Sequence, residues 1–186
     1  DWAKGGIIYE VFPDRFCKGG YPDLTGKLEP YTVHENWYEE VSWQPTPEGI
    51  VMNNDFYGGN FKGITEKLDY IASLGTTIIY LNPIGKAFSS HRYDTGDYKV
   101  PDPMLGTMED FVELCEAAHR LGMKVIIDGV YSHTGSDSRY FNRYGRYSTL
   151  GAYQSPDSPF YDWYNFKQFP DEYECWWGID ILPKLN

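Results

Sequence analysis

The sequence predicts an α/β fold built on a parallel sheet. Three short apolar runs, at residues 7–12, 76–81 and 124–129, have strand length and are rich in Ile, Val and aromatic side chains. The segments between them repeat apolar residues at three- and four-residue steps, the period of a helix with one buried face. Strand and helix therefore alternate, and right-handed crossovers then require the strands to run parallel.

The first strand leads into a loop rich in Gly, Pro and charge that lasts to Gly59. Phe61, Ile64, Leu68, Ile71 and Leu74 mark the buried face of the first helix, and Gly75 is placed to end it in a left-handed conformation. The second strand stops at Asn82-Pro83. Thr107 and Asp110 have capping-box spacing, and Met108, Phe111, Val112, Cys115 and Ala118 form the second helical stripe, closed by Gly122. The third strand follows at once and reads as fully buried. Beyond His133 the periodicity ends. Residues 134–186 are rich in Tyr, Ser, Asp, Pro and Gly, carry Trp163, Trp176 and Trp177, and read as one long irregular excursion from the mouth of the third strand.

A net charge of -11 argues against a nucleic-acid partner, which needs clustered Lys and Arg. Seventeen Tyr, ten Phe and six Trp make 18% of the chain aromatic; most fill the core, while flat apolar faces with polar rims also suit sugars. Cys17, Cys115 and Cys175 form neither a disulfide framework nor a CxxC metal site, which favours a reducing, cytoplasmic setting over a secreted one. The abrupt opening at Asp1-Trp2-Ala3, a few residues before a strand, reads as a start inside a longer protein. No run approaches the roughly 18 apolar residues of a membrane span, so no membrane partner is expected. No GxGxxG or GxxxxGK[ST] loop follows any strand, which argues against a nucleotide-binding doubly wound domain. The most informative run is Lys124-Val-Ile-Ile-Asp128-Gly-Val-Tyr-Ser-His133, a strand that delivers a carboxylate and then an imidazole at its C-terminal mouth, where parallel α/β proteins build their sites.

That run is one of six motifs that stand in a recognisable order. Ile8-Tyr-Glu-Val-Phe-Pro-Asp-Arg-Phe16, Asp55-Phe-Tyr-Gly-Gly-Asn-Phe-Lys-Gly-Ile64, Gly75-Thr-Thr-Ile-Ile-Tyr-Leu-Asn-Pro83, His91-Arg-Tyr-Asp-Thr-Gly-Asp-Tyr98 and the segment from Asp128 to His133 strongly resemble the α-amylase family of glycoside hydrolases. The terminal Leu182-Pro-Lys-Leu-Asn186 resembles the signature near the end of that family's second domain, in the form typical of neopullulanases, cyclomaltodextrinases and maltogenic amylases.

The resemblance implies a (β/α)8 barrel with a domain inserted after the third strand. Residues 1–133 would supply the first three β/α units, and residues 134–186 the insertion. The implied reaction is retaining cleavage of α-1,4 glucosidic bonds, with α-1,6 bonds also in range, on an α-glucan or maltooligosaccharide. The family's nucleophilic aspartate, acid/base glutamate and transition-state-stabilising aspartate lie on later strands, so all three are expected beyond Asn186 and the chain alone is expected to be inactive. Three strands of eight are expected to leave an edge open to self-association or to pairing with the rest of the barrel. A transglycosylase is the nearest alternative. A non-catalytic carbohydrate-binding module is the alternative of another class, and the parallel strands argue against it.

Tyr93 matches the tyrosine that stacks beneath the sugar, and His133 the histidine that hydrogen-bonds one of its hydroxyls. Asp128 matches an aspartate that pairs with an arginine of the fourth strand, and without that arginine it is expected to be exposed or unpaired. Trp177, Lys184 and Asn186 are implied to border the cleft. Adjacent residues of an extended chain face opposite sides, so only one of Trp176 and Trp177 is expected to face sugar, and Trp177 is favoured. Ser132 departs from the asparagine that many members use to bind calcium, and the loop from Arg15 to Asp23 lacks paired acidic ligands. Asn53, Asn54 and Asp55 fit a turn better than a ligand set. No metal and no cofactor are expected.

Overall fold

The computed structural model describes residues 2–186. Strand β1 (Ile8–Val11) runs into a 3-10 turn at Pro13–Arg15 and then the long loop, which contains a short parallel pair, β2 (Thr32–Val33) and β3 (Asp55–Phe56). Helices α1 (Phe61–Glu66) and α2 (Leu68–Ser73) lead to β4 (Ile78–Leu81). An antiparallel hairpin, β5 (Gly85–Ala87) with β6 (Thr95–Pro101), precedes α3 (Met108–Arg120) and β7 (Lys124–Ile127). In the last third, β8 (Phe166–Gln168) and β9 (Glu172–Tyr173) form a small antiparallel pair.

The main sheet has the order β1-β4-β7 and is parallel throughout, with Tyr9, Ile79 and Val125 in register. Side chains alternate across it. Tyr9, Val11, Ile79, Leu81 and Val125 face the helices and pack with Ile64, Leu68, Ile71, Leu114 and Ala118. Each fully buried aliphatic side chain here contributes about 1.5–3 kcal/mol of transfer free energy. The opposite face, which carries Tyr80 and Ile126, is covered only in part, and Ile8 beside them is exposed. The third strand is therefore not fully buried as predicted. Only β4, flanked on both sides, is buried at Ile78, Ile79 and Leu81, whereas Ile127 at the β7 edge is 45% exposed because no further element packs over it.

The single helix predicted over residues 61–74 is two. Lys67 leaves helical geometry (φ -104, ψ 4) and its N–H bonds to the Ile64 carbonyl (3.0 Å), a tightened turn that redirects the axis while Ile64, Leu68 and Ile71 all stay in the core. Asn60 caps the first helix through the Gly63 N–H (2.8 Å) and also exchanges hydrogen bonds with the Gly19 backbone, so the long loop is tied down where the helix begins. Gly75 is left-handed (φ 79), and the Thr107–Asp110 capping box is present, both as expected. The β5–β6 hairpin was not legible, because a strand reading Thr-Gly-Asp-Tyr-Lys-Val-Pro carries turn residues where a strand pattern needs apolar ones.

The aromatic residues of the last third build a second core around Phe141, whose ring lies 4.7–5.9 Å from those of Tyr153, Tyr164, Phe166 and Tyr173. The segment ends where it began: Leu185 N–H bonds to the Ser132 carbonyl (3.0 Å) and Thr134 N–H to that of Pro183 (3.1 Å). Among the described residues no helix is long and apolar enough to cross a membrane.

The long loop is fastened by His34, whose Nδ1 meets Glu39 (2.9 Å) and Nε2 meets Asp55 (2.9 Å), with the ring stacked on Tyr57. The hydrogen bond to Glu39, and next that to Asp55, raise the pKa of His34. A raised histidine contributes stability that is complete below its unfolded pKa, about 6.5, and is lost as pH rises through the folded value. Asn36 and Ser42 donate their N–H groups to the same two carboxylates. Hydrogen exchange at these two amides, corrected for its intrinsic pH dependence, is expected to accelerate as pH rises above about 6.5 in the native protein and to lose that dependence in His34→Gln. Flat corrected exchange in the native protein would contradict the fastening.

Candidate functional site

Two neighbouring strands present polar residues one position past their last paired residue. Asp128 follows β7, with its N–H on the Leu81 carbonyl (2.9 Å), and Asn82 follows β4, with its N–H on that of Val11 (3.1 Å). By the two-residue period of a strand, both point to the face of Tyr80 and Ile126, away from the helices.

Tyr93 closes the arrangement from the loop between β5 and β6. Its hydroxyl donates to Asp128 Oδ2 (2.9 Å) and accepts from Asn82 Nδ2 (3.0 Å), so the phenol is held at its oxygen while the half-buried ring keeps an open portion. Burial, and next the bond to Asp128, raise the pKa of Tyr93. Tyr80 is also raised, first by its hydrogen bond to Asp128. Both phenols thus remain protonated donors. Asp128 is half-buried and partnered by Tyr93, and the expectation of an unpaired acid is corrected by a phenol on a loop that strand periodicity does not describe.

The loop is set by its neighbours. Arg92 is left-handed (φ 62), an uncommon state for a residue with a Cβ, and the turn is held because the guanidinium is 1% exposed and bonds to the Ser90 carbonyl (2.8 Å) and Asp102 Oδ1 (3.3 Å). Asp102 Oδ2 accepts from Lys27 Nζ (2.8 Å), whose ammonium also lies 4.4 Å from the Phe56 ring centroid. Burial pushes the Asp102 carboxyl up, but the Arg92 and Lys27 cations outweigh it and leave the pKa below the ordinary carboxylate value. On the next residue, Tyr93 N–H donates to His91 Nδ1 (3.0 Å).

His133 lies behind Tyr93. It is 4% exposed, and its Nε2 is 3.0 Å from the Tyr93 carbonyl, which can only accept, so Nε2 carries the proton and Nδ1 accepts from the Ser132 hydroxyl (3.0 Å). Burial, partly opposed by the Tyr93 carbonyl, lowers its pKa and keeps the ring neutral. Both nitrogens are committed within the protein, so the imidazole positions the Tyr93 backbone; a ligand hydroxyl would have to displace Ser132. Tyr98 fixes the turn that carries it, donating to the Val130 (2.5 Å) and His133 (3.1 Å) carbonyls.

Trp176, not Trp177, covers His133, with ring centroids 5.1 Å apart. The assumption that the two indoles face opposite sides fails because Trp176–Gly178 is a 3-10 turn, not extended chain; the two rings lie 5.5 Å apart, and Trp177, left-handed at φ 54, is 86% exposed. Lys184 pairs with Glu174 (3.8 Å), and Asn186 Nδ2 donates to the Asp162 carbonyl (2.9 Å), so both fasten the returning segment. Tyr80 and Asn82 were missed by sequence reasoning, and Trp176 was set aside in favour of Trp177. Asn82 had the same signal as Asp128, a polar residue at a strand end, but was read only as a strand breaker. Among the described residues no three His, Cys, Asp or Glu side chains converge as a metal-ligand set. The arrangement can place a flat apolar surface and fixed hydrogen-bonding groups against a polyol ring.

The alpha-amylase catalytic domain matches residues 10–177 of this chain. The chain belongs to the alpha-amylase family. It is 44% identical over 204 residues to an amylopullulanase of Thermoanaerobacterium saccharolyticum, covering all of this chain and 16% of that protein. It is 34% identical over 189 residues to an intracellular maltogenic amylase of Bacillus subtilis, covering all of this chain and 28% of the relative. Among solved structures, the type III pullulan hydrolase from Thermococcus kodakarensis superposes with a TM-score of 0.80 at 37% identity, over all of this chain and 33% of that one. The chain thus spans a sixth or less of the amylopullulanases it matches. Within the family match fall Tyr93, Asp128, His133 and Trp176.

Proposed function

We propose that this chain forms the sugar-stacking side of the active site of a retaining α-glucan hydrolase that acts on α-1,4 glucosidic bonds, with α-1,6 bonds also in range. The observation that carries the reading is Tyr93, fixed by Asn82 and Asp128 at the strand-end face of a parallel sheet and backed by His133. On this reading residues 1–133 are the first three units of a (β/α)8 barrel, and residues 134–186 are an inserted domain whose exposed Trp177 borders the cleft. The family match and the names of the relatives, amylopullulanase and maltogenic amylase, support it. A cytoplasmic setting accords with three free cysteines.

In this scheme the chain binds and orients, and the chemistry comes from carboxylates on later strands. Retaining cleavage needs two carboxyl groups about 5–5.5 Å apart across the bond, one attacking and one protonating the leaving oxygen. Asp128 is instead engaged by Tyr93, and a fourth-strand arginine is assigned as its cationic partner. No metal enters the scheme, and the Ser132 hydroxyl, at the position where other members offer a calcium ligand, bonds to His133.

The purified 186-residue chain is expected to release no reducing sugar from maltooligosaccharides, pullulan or cyclodextrins, while the protein that includes the later strands does. Release by the short chain that Asp128→Asn abolishes would move the chemistry onto Asp128 and overturn this division of labour.

A further inference from the structure

A recess of about 500 Å³ walled by residues 26–30, Lys86 and Arg146 includes none of Tyr93, Asn82, Asp128 and His133, and meets the residues described above only at Lys27. We propose that it binds a phosphate group, free or esterified to a sugar, between the side chains of Lys86 and Arg146. In a chain of net charge -11, Lys86 and Arg146, from separate segments, line the same recess. Lys86 makes no ion pair among the described residues, and its Nζ lies 5.1 Å from the Tyr147 ring centroid. Arg146 is likewise shelved on aromatic faces, 5.7 Å from the Phe88 centroid and 5.6 Å from that of Tyr144. Aromatic support of this kind holds a cationic head in place without consuming its hydrogen-bond donors.

The donors are in fact largely free. Arg146 gives Nη1 to Asp137 Oδ2 (2.7 Å) and makes no other hydrogen bond among the described residues, with 35% of its side chain open. Lys27 is not counted toward the site, since its ammonium is paired with Asp102 and gives a second N–H to the Ala87 carbonyl. Asp137 is the counter-ion a ligand would compete with: its Oδ2 holds Arg146, its Oδ1 is buried with no partner, and burial, opposed first by Arg146 and then by Lys86, pushes its carboxyl up to about 6. The exposed Glu29 stands at the rim, where solvent screens it. A planar guanidinium fork beside a mobile ammonium suits a tetrahedral dianion better than a carboxylate, because several acceptor oxygens can engage both cations at once.

Isothermal titration of the full chain with inorganic phosphate and with glucose 1-phosphate, at fixed ionic strength, tests the proposal. At least one is expected to bind with a Kd below about 1 mM. Lys86→Ala is expected to weaken binding about tenfold, Lys86→Arg to restore most of it, and Asp137→Asn to tighten it by freeing Arg146. Tighter binding of the ester identifies a sugar phosphate as the ligand, and equal or weaker binding identifies free phosphate. Absence of binding by both, or binding that survives Lys86→Ala in a variant with native circular dichroism, overturns the site.

Discussion

Replacing Tyr93 by alanine in the full-length enzyme is expected to lower kcat/KM on a maltooligosaccharide by roughly one to three powers of ten, about 1.4–4 kcal/mol of transition-state stabilisation. The loss should fall on kcat as well as on KM, because a stacking face gains strength as the sugar ring flattens toward the oxocarbenium ion. Tyr93→Phe separates two contributions: it keeps the ring face and gives up the bonds to Asp128 and Asn82, so it should lie between the native enzyme and the alanine variant. His133→Ala belongs in the same range, since removing the imidazole releases the Tyr93 carbonyl it holds and leaves a void under Trp176. Tyr131→Ala is the control, because Tyr131 is 77% exposed and its ring stacks on Tyr98, 5.8 Å away. Steady-state kinetics on folded variants decide the matter. Unchanged kcat/KM in both Tyr93→Ala and His133→Ala would place the sugar elsewhere.

Asp102→Ala is expected to cost about 3–5 kcal/mol of folding stability, read as a shift of the urea midpoint at constant slope. The size follows from what is left behind: the side chains of Lys27 and Arg92 are almost wholly buried, and both lose the carboxylate they are ion-paired with. The same pairing sets a pH dependence. A depressed carboxyl contributes stability that is present above its unfolded pKa, about 3.9, and is lost as pH falls through its lower folded value. The native protein should therefore lose stability in acid more steeply than Asp102→Asn. Because Arg92 holds the left-handed turn before Tyr93, any full-length Asp102 variant that still folds should also lose activity, and a variant of native stability would remove the triad from the account.

The parallel sheet was legible because the strand runs and helical stripes have different periods, and the helix ends because glycine and a capping box mark them chemically. Asp128 and His133 could be singled out by their position at a strand end. Other features were beyond a local reading. The division at Lys67 has no proline or glycine to announce it, and the burial of β7 depends on a neighbour rather than on its own residues. Asn82 and Trp176 acquire their roles from partners 11 and 43 residues away, Tyr93 and His133. The pair Trp176-Trp177 shows the general difficulty: which ring covers His133 is decided by a backbone turn, and two identical letters carry no sign of it.

The return of residues 183–185 to residues 132–134 makes everything between them a parenthesis in the fold. Its two ends are clasped together, so the enclosed stretch can grow, shrink or be exchanged without displacing the strand before it or whatever follows. The entropic charge for doing so is small, about 0.6 kcal/mol for each doubling of a flexible loop. Trp176 and Trp177 ride on this replaceable piece, while Tyr93 and Asp128 belong to the frame. Under the proposed function, rewriting the parenthesis would change what borders the cleft and leave the Tyr93–Asp128 frame untouched.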